Sequence, residues 1–225
     1  MKKIIIAIDG ESSSGKSSLA KALAKELSYK HINTGAMYRA LTFFAIKNNF
    51  FLGDKIFSQN IIKLIDELNF EFRLIDNLSY LFVNGKNMSE QIRTNRVSDL
   101  VSYVSTIYEV RKKIVDIQRK LGLKKAIVME GRDIGSVVFP SAELKLFITA
   151  SFPVRVERRY KELKSINSKI TKQYVTENIK KRDLIDKNRK HSPLIRVKDS
   201  ILIDNSNMTI FEQVTLIKNY IKKNI

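Results

Sequence analysis

A glycine- and serine-rich segment near the start of the sequence carries the clearest indication of chemistry. Residues 10–17 read GESSSGKS, which matches the pattern G-x-x-x-x-G-K-[ST]. In this pattern, backbone amides at the start of a helix surround phosphate oxygens, and the lysine reaches the terminal phosphates of a nucleotide. The hydroxyl that follows the lysine can ligate Mg²⁺. Lys16 and Ser17 are therefore candidate ligands of ATP and of Mg²⁺, respectively.

The segments on either side of this loop agree with that interpretation. The apolar run IIIAI at residues 4–8 precedes it, and Leu19, Leu23 and Leu27 recur every four residues after it. The run is typical of a strand in a parallel sheet covered on both faces, and the leucine spacing indicates a helix. A simple turn between a strand and a helix is the alternative. A GTPase is excluded, because the sequence contains neither a D-x-x-G nor an N-K-x-D motif.

Short apolar runs alternate with helical patterns along the chain. The runs lie at residues 3–9, 31–33, 126–129, 144–149 and 200–203. Strands that alternate with helices predict a doubly wound α/β fold, here with a five-stranded parallel sheet flanked by helices.

Three other segments of the sequence give further structural expectations. The last helix should begin near Thr209, where the spacing to Glu212 is that of a capping box. Residues 68–87 alternate apolar and polar side chains and contain Asn84-Gly85, so they predict a small antiparallel insertion with a tight turn. Residues 160–178 are polar and rich in lysine, which suits a mobile flap better than a core element.

The composition is ordinary for a globular protein without a membrane anchor. Of the 225 residues, 44% are hydrophobic and 28% are charged, and no apolar run approaches the roughly 18 residues of a membrane span. The apolar stretch at the start is shorter than the about 7–15 residues of a signal peptide, so we expect a cytoplasmic protein. The absence of cysteine rules out disulfides, thiolate chemistry and cysteine-based zinc sites.

The formal net charge of +18 raises the question of nucleic-acid binding. The lysines are spread along the whole chain rather than gathered into one arm. A solvated basic surface is the commoner meaning of such a charge, and an anionic substrate is equally compatible with it. Nucleic-acid binding is therefore the less favoured explanation, and an RNA-stimulated ATPase is an alternative that rests on charge alone.

Four further segments, taken with the phosphate loop in order and spacing, resemble bacterial cytidylate kinase, a family of nucleoside monophosphate kinases. They read NTGAMYR at 33–39, EGRDIG at 130–135 closed by VVFP at 137–140, RVERR at 155–159, and KRDLIDKNR at 181–189. The resemblance extends over essentially the whole chain, including an insertion near residues 60–95 that marks the bacterial form. It implies phosphoryl transfer from ATP to CMP or dCMP, giving CDP or dCDP and ADP, in pyrimidine nucleotide metabolism.

By this similarity, nine side chains should surround the acceptor nucleotide: Thr34, Arg39, Ser102, Arg111, Arg132, Asp133, Arg182, Asp186 and Arg189. The resemblance implies that Thr34, Arg39 and Arg132 hold the acceptor phosphate. It also implies that Arg189 reaches the phosphates being exchanged. The spacing of Asp186 and Arg189 alone is equally that of an exposed ion pair on a helix.

The remaining acceptor residues should face the base and the sugar. The resemblance places Ser102, Arg111 and Asp133 at the cytosine ring, and Arg182 and Asp186 at the sugar. Cytosine requires an acceptor for its N4 amine and donors for O2 and N3, and Asp133 and Arg111 have the polarity for those roles. Few landmarks fix the alignment around Ser102 and Arg111, so a surface position for either is the alternative.

By the same resemblance, two groups of residues should bind ATP: the phosphate loop, and three arginines of the helix that leads to a lid. These residues are Gly10, Glu11, Ser12, Ser13, Ser14, Gly15, Lys16, Ser17, Ser18, Arg155, Arg158 and Arg159. The spacing of the arginines also fits a solvated helix face, and we expect at least one of them to contact ATP.

Three positions depart from the usual sequence of the family. Glu11 stands where the family usually has proline, and we expect its carboxylate to point to solvent. Ser13 stands where glycine is commonest, which tests whether that position needs an unusual backbone angle. Thr34 stands where serine is frequent, and this exchange keeps the hydroxyl.

The residue types suit phosphoryl transfer between two nucleotides. The attacking group is an acceptor phosphate oxygen that is already ionised at neutral pH, so no general base is needed. The reaction instead requires alignment of two polyanions, neutralisation of their charge and exclusion of water. Lys16, Arg132, Arg182 and Arg189 are the candidate catalytic residues, since arginine stays charged and binds phosphate oxygens in pairs.

The resemblance also implies a monomer built as one kinase unit. Its core would comprise residues 1–35, 96–155 and 180–225, with a nucleoside monophosphate-binding region at 36–95 and a lid at 156–179.

Several assignments remain open at this point. Glu130 and Asp9 are possible partners of Mg²⁺, and the isolated His31 and His191 receive no role. A P-loop kinase for another acceptor, such as AMP, UMP or a small hydroxylated metabolite such as shikimate, is the main alternative to a CMP kinase.

Overall fold

The computed structural model describes residues 3–52, 55–75, 78–165 and 168–225. Ten strands lie in these residues: β1 (Ile5–Gly10), β2 (Lys30–Asn33), β3 (Phe51–Leu52), β4 (Lys55–Ile56), β5 (Phe70–Ile75), β6 (Leu78–Val83), β7 (Lys86–Asn87), β8 (Ile127–Gly131), β9 (Leu144–Thr149) and β10 (Ile201–Asp204).

The same residues form eight α-helices: α1 (Lys16–Leu27), α2 (Thr34–Lys47), α3 (Ser58–Leu64), α4 (Asn95–Val104), α5 (Tyr108–Gly122), α6 (Phe152–Lys164), α7 (Lys172–Asn188) and α8 (Ile210–Asn224). Two short 3₁₀ turns (Ile65–Glu67 and Gln91–Arg93) and a π-helical turn (Ile134–Val138) complete the assignment. Helix α8 begins with the predicted capping box, in which Thr209 and Glu212 bond to each other's backbone amides.

Five of the strands form a parallel sheet in the order β10-β9-β1-β8-β2. This confirms the predicted sheet, and several strand ends differ from the expected bounds by one or two residues. Alternating side chains of β1 explain its continuous apolar run. Ile6 and Ile8 pack with α1 and α8, whereas Ala7 packs on the other face with α2 and α5. A strand buried on both faces favours apolar side chains at almost every position, which is why the run could be recognised in the sequence.

The predicted antiparallel insertion is confirmed as the sheet β5-β6-β7. Asn84 and Gly85 form the turn between β6 and β7, with positive φ angles of 49° and 78°. Apolar side chains on one face of the strands, such as Phe72 and Leu81, join the core beneath α2. Residues 76–77 of this segment lie outside the described residues.

The lysine-rich segment 160–178 is largely helical rather than an irregular flap. Helices α6 and α7 share a small hydrophobic cluster of their own, formed by Val156, Leu163, Ile170, Val175 and Ile179. Residues 166–167 lie outside the described residues, and the assignment of this region as a lid remains a prediction. Among the helices described, none has both the length and the apolar character needed to span a bilayer.

Candidate active site

A cavity of about 640 Å³ opens at the carboxyl ends of β1, β8 and β2. Parallel α/β sheets bind their ligands at this edge, because the strand ends and the helix N-termini meet there. The phosphate loop forms one wall of the cavity, from Ser12 to Ser18. Side chains of α2, α4, α5 and α7 form the opposite wall.

The backbone of the loop leaves the first amides of α1 facing the cavity. Gly15 precedes the helix with a φ of 88°, and no side chain caps the first turn. The unpaired amides of a helix N-terminus bind phosphate oxygens. Ser13 has a φ of 60°, so the position where glycine is commonest does adopt a left-handed backbone. Lys16 Nζ donates a hydrogen bond to the carbonyl of Glu11 at 2.8 Å across the same loop.

Two predicted ATP-side residues at the start of the loop do not line the cavity. Gly10 is packed against the neighbouring strand, where a Cβ would lie 2.1 Å from the carbonyl oxygen of Ile148. The expectation that Glu11 points to solvent is wrong, because its side chain is 13% exposed and pairs with Lys187 at 2.6 Å and with Arg155 at 3.6 Å. Burial raises the pKa of the Glu11 carboxyl, but these two cations outweigh it and the net pKa is lowered. The carboxylate is held behind the loop, outside the cavity.

Arg155 also lies behind the loop and not in the cavity, which corrects its assignment as an ATP contact. Its Nη1 donates to the carbonyl of Ser12 at 3.1 Å and to the carboxylate of Asp183. The other oxygen of Asp183 accepts a hydrogen bond from the Ser12 amide at 3.1 Å. The two side chains therefore hold the loop backbone between α6 and α7.

The predicted magnesium ligand Ser17 is bonded to a buried carboxylate. Its hydroxyl donates to Oε2 of Glu130 at 2.5 Å, and Oε1 of Glu130 lies 3.0 Å from Nε2 of His31. Burial raises the pKa of Glu130, but His31, Lys16 and Ser17 together lower it, so the carboxylate is ionised. His31 had received no role from the sequence.

These oxygen donors fit Mg²⁺. The ion is usually held by one or two protein oxygens, with nucleotide phosphates and water completing its coordination. The hydroxyl of Ser17 and the adjacent Glu130 carboxylate supply such a pair beside the phosphate loop.

All nine residues predicted for the acceptor nucleotide line the same cavity: Thr34, Arg39, Ser102, Arg111, Arg132, Asp133, Arg182, Asp186 and Arg189. The N-terminus of α2 is directed there, with Asn33 accepting a hydrogen bond from the Ala36 amide at 3.1 Å. The Thr34 hydroxyl donates to the carbonyl of Glu130 at 2.7 Å, which joins α2 to the end of β8.

Asp186 connects two of the arginines. Its Oδ2 accepts a hydrogen bond from Arg132 Nε at 2.8 Å, and its Oδ1 lies 3.5 Å from Nη1 of Arg189. The pair with Arg189 is buried, so it is not the exposed helix pair that the spacing alone allows. Arg182 is also buried, and its Nε has no hydrogen-bond partner in the part of the chain that the structure describes.

Arg111 and Asp133 form a second buried ion pair that lines the cavity. Arg111 Nη2 donates to the carboxylate of Asp133, while Arg111 Nη1 donates to the carbonyl of Ser105 at 3.2 Å. The Arg111 guanidinium also lies over the Tyr38 ring, 5.4 Å from its centroid. Ser102 is 3% exposed and lines the same cavity, so neither it nor Arg111 is a surface residue.

The cavity concentrates positive charge. Burial and the nearby Arg182, Arg159 and Arg132 lower the pKa of Arg39 to about 9. Burial and Arg132 lower the pKa of Arg182 to about 10, and burial with Arg132 lowers that of Lys16 well below its usual value. At about 9 and about 10, Arg39 and Arg182 still carry a proton at neutral pH. Their mutual repulsion is relieved when polyanions bind between them.

Two of the three arginines predicted on the helix that leads to the lid do line the cavity. Arg158 donates from Nη2 to the carbonyl of Asn205 and from Nη1 to its side chain, both at 2.9 Å. Arg159 donates to the hydroxyl of Ser98 at 3.2 Å. Asn205 was not predicted from the sequence, although its Nδ2 donates to the carbonyl of Ser14 at 2.9 Å. It follows β10 in a stretch with no recognisable pattern.

Other lining residues were also missed: Tyr38, Arg93, Ser98 and Ser105. Tyr38 lies inside the NTGAMYR segment, so the motif marked its position but not its role. The others lie at helix ends and turns that carry no local signal.

Comparisons with known proteins agree with this geometry. The family model for cytidylate kinase matches residues 6–223. A cytidylate kinase of Flavobacterium johnsoniae is 48% identical over 215 residues, which cover 95% of this chain and 94% of that protein. A cytidylate kinase of Parabacteroides distasonis is 49% identical with the same coverage.

A likeness in fold accompanies the likeness in sequence. The crystal structure of an uncharacterized protein from Eubacterium ventriosum superposes with a TM-score of 0.55, covering 99% of both chains at 14% identity. The family model and the two kinases decide the assignment. The chain belongs to the cytidylate kinase family, and it is an enzyme that phosphorylates CMP at the expense of ATP.

Proposed function

We propose that CMP phosphorylation takes place by direct transfer within the cavity described above, and that dCMP is accepted as well as CMP. The supporting observation is that the phosphate loop and all nine predicted acceptor residues line one continuous space. The ATP phosphates would lie along the loop, and the acceptor would lie between α2, α5 and α7. This arrangement brings two polyanions end to end, which is the main requirement of phosphoryl transfer.

The positive side chains would contact different parts of the two nucleotides, according to their positions in the cavity. Lys16 and the first amides of α1 would hold the β- and γ-phosphates. The N-terminus of α2 with Arg39 would hold the acceptor phosphate. Arg132, Arg182 and Arg189 would surround the transferring group, and their fixed orientation stabilises its charge without reorganisation during the reaction.

We propose that Mg²⁺ is bound with ATP beside Ser17 and Glu130. When bound, the ion neutralises charge on the β- and γ-phosphates. Ser17 would contribute its hydroxyl oxygen, and Glu130 would orient that hydroxyl through the 2.5 Å hydrogen bond. The acceptor phosphate attacks as an ionised oxygen, so no side chain needs to remove a proton.

The cytosine ring would lie against Asp133 and Arg111. Asp133 supplies a carboxylate for the N4 amine, and Arg111 supplies donors for O2 and N3. Because each is already bonded to the other, the pair presents a fixed pattern rather than two mobile side chains. A base without this pattern of donors and acceptors would leave buried polar groups unpaired.

The division into a core, an acceptor region at 36–95 and a lid at 156–179 also belongs to this proposal. Arg158 and Arg159 would approach ATP from the lid side. One chain provides every residue named here, which supports a monomer as the active unit. We propose that it acts in the cytoplasm, where both nucleotides are available.

A coupled assay of ADP release tests the proposal. The purified enzyme is given ATP and Mg²⁺ with CMP, dCMP, UMP, AMP or GMP in turn, and separately with RNA. We expect CMP and dCMP to stimulate ADP release at least tenfold more than AMP or GMP, and RNA to have no effect. No stimulation by CMP over buffer would overturn the proposal, whereas stimulation by AMP alone would overturn the base assignment.

A further inference from the structure

His31 is a buried histidine beside the phosphate loop that the mechanism above does not use. It lies in β2, the strand at one edge of the parallel sheet, and only 5% of the residue is exposed. Its neighbour on β8 in the register of the sheet is Val128. The ring reaches past that residue to Glu130, where Nε2 lies 3.0 Å from Oε1.

The two oxygens of Glu130 have different partners. Oε1 is beside His31, and Oε2 accepts the hydrogen bond from the Ser17 hydroxyl. A buried carboxylate with a partner on only one oxygen is free to rotate about its last bond. A partner on each oxygen fixes the carboxylate plane, and this determines where the Ser17 hydroxyl points.

The partners of the two ring nitrogens indicate which of them carries the proton that is shared with Glu130. Nδ1 is buried and has no hydrogen-bond partner in the described ranges of the chain. The ionised carboxylate of Glu130 can only accept hydrogen bonds, so the proton of its contact with His31 lies on Nε2. In that form, His31 donates to Glu130.

We propose that His31 is a positioning residue of the phosphoryl-transfer site, which donates from Nε2 to Glu130 and thereby sets the Ser17 hydroxyl for the metal that accompanies ATP. This inference rests on the proposed role of Ser17 in binding Mg²⁺. It adds a chain of three side chains, from β2 through β8 to α1, that controls one metal ligand from outside the cavity.

The test uses His31→Leu, which fills the space of the ring with an apolar side chain and removes the donor, and His31→Gln, which keeps a donor. His191→Leu is the matched control. The ring of this second histidine packs at a tilt against Tyr108, with the ring centroids 4.5 Å apart, and does not line the cavity. Electron paramagnetic resonance of Mn²⁺ with a non-hydrolysable ATP analogue, without CMP, gives the metal affinity of each folded enzyme directly.

We expect His31→Leu to weaken Mn²⁺ binding about 3- to 30-fold, a range near or below that of other outer partners of metal ligands. His31→Gln should stay within about threefold of wild type, and His191→Leu within about twofold. Calorimetry of CMP binding without metal should give wild-type affinity for all three variants. This readout separates a positioning role from general damage to the fold.

The outcomes distinguish this inference from the proposed function. Wild-type Mn²⁺ affinity in His31→Leu would overturn the inference alone. Equal losses in His31→Leu and His31→Gln would also overturn it, since the donor would not matter. Absence of Mn²⁺ binding by the wild-type enzyme would overturn the proposed metal role and this inference together, and lack of CMP phosphorylation in the parallel assay would overturn the proposed function.

Discussion

Arg132 donates a hydrogen bond from Nε to Oδ2 of Asp186 at 2.8 Å. Asp186, which we expect to contact the sugar of the acceptor, thereby orients Arg132, which we expect to bind the acceptor phosphate. The contact joins the end of β8 to α7, which carries Arg189 on its C-terminal side. Burial raises the pKa of Asp186, but Arg132, Arg189 and Arg182 outweigh it and the net pKa is lowered. The carboxylate is thus ionised and holds cations that would otherwise repel one another.

The first prediction concerns Asp186→Asn. This change keeps the shape of the side chain but removes the charge that orients Arg132 and Arg189. We expect kcat/KM for CMP to fall about 10- to 100-fold, or about 1.4–2.7 kcal/mol in transition-state binding. The KM for ATP should change less than about threefold. Steady-state kinetics with CMP varied at saturating ATP provide the measurement.

Asp116→Asn is the control for this prediction, because Asp116 is exposed on α5 and does not line the cavity. Its kinetic constants should match those of the wild type. If Asp186→Asn raised the KM for ATP as much as that for CMP, the assignment of Asp186 to the acceptor side would be wrong.

The second prediction concerns Arg155, which is buried behind the phosphate loop. Arg155→Met leaves the carboxylate of Asp183 and the carbonyl of Ser12 without their common partner. Loss of one member of a buried ion pair typically lowers the unfolding free energy by about 3–5 kcal/mol. We expect a loss of this size in urea unfolding, together with a raised KM for ATP because the loop is no longer held.

Lys161→Met is a suitable comparison on the same helix. Lys161 is exposed, and its ion pair with Glu157 at 3.6 Å is screened by water. This variant should unfold at nearly the same urea concentration as the wild type. A stability for Arg155→Met close to that of Lys161→Met would refute a structural role for the buried pair.

The position of Arg155 illustrates which parts of the site could be predicted from the sequence. The phosphate loop and the NTGAMYR segment are local patterns, and each one indicates its own backbone and its place in the cavity. The spacing of the three arginines on α6 was equally plain, but the side each faces depends on how α6 packs against the loop. Arg158 and Arg159 line the cavity, whereas Arg155 lies on the other side.

The same distinction holds for the fold. The strands of the parallel sheet were predictable because burial on both faces requires an apolar run, as in β1. The helical character of the lid region was not, because its five buried apolar residues are scattered among lysines. His31 was missed for a third reason: its partner Glu130 lies on a neighbouring strand, 99 residues away in the chain.

The third prediction concerns two positions of the phosphate loop: Ser13, where the backbone conformation favours glycine, and Gly10, where close packing leaves no room for a side chain. Ser13 has a φ of 60°, a conformation that glycine adopts without steric strain. Ser13→Gly should therefore keep activity within about twofold, and the unfolding free energy should change by less than about 1 kcal/mol. Gly10→Ala would place a Cβ 2.1 Å from the Ile148 carbonyl oxygen, in a φ of 157°.

Backbone atoms of β9 cannot move aside for this Cβ without disturbing the sheet. We expect Gly10→Ala to lower the yield of folded enzyme and to lose most ATP binding. Circular dichroism and binding of a fluorescent ATP analogue compare the two variants. Wild-type behaviour of Gly10→Ala, or inactivity of Ser13→Gly, would contradict the close packing and the backbone angle, respectively.

The fourth prediction concerns Asp9, whose carboxylate oxygens accept hydrogen bonds from the amides of Ile134 and Gly135, both at 2.7 Å. Burial, the largest influence, raises its pKa from 3.8 to about 6, although the two amides lower it. The folded state therefore holds this proton more tightly than the unfolded chain does. The stability that Asp9 contributes is present below about pH 4 and is lost as the pH rises through about 6.

Asp9→Asn does not titrate, so comparison with the wild type isolates this effect. The side-chain NH₂ of the asparagine would face one of the two backbone N–H donors, and this lowers the unfolding free energy by the same amount at every pH. As the pH rises from 4 to 7, we expect the unfolding free energy of Asp9→Asn to gain about 2–3 kcal/mol relative to the wild type. Urea unfolding at pH 4, 5, 6 and 7 measures the difference, with Asp116→Asn as the variant whose stability should run parallel to the wild type. A difference that is flat across this range would mean that Asp9 keeps an ordinary pKa in the folded enzyme, and a change of opposite sign would mean that the two amide hydrogen bonds outweigh burial.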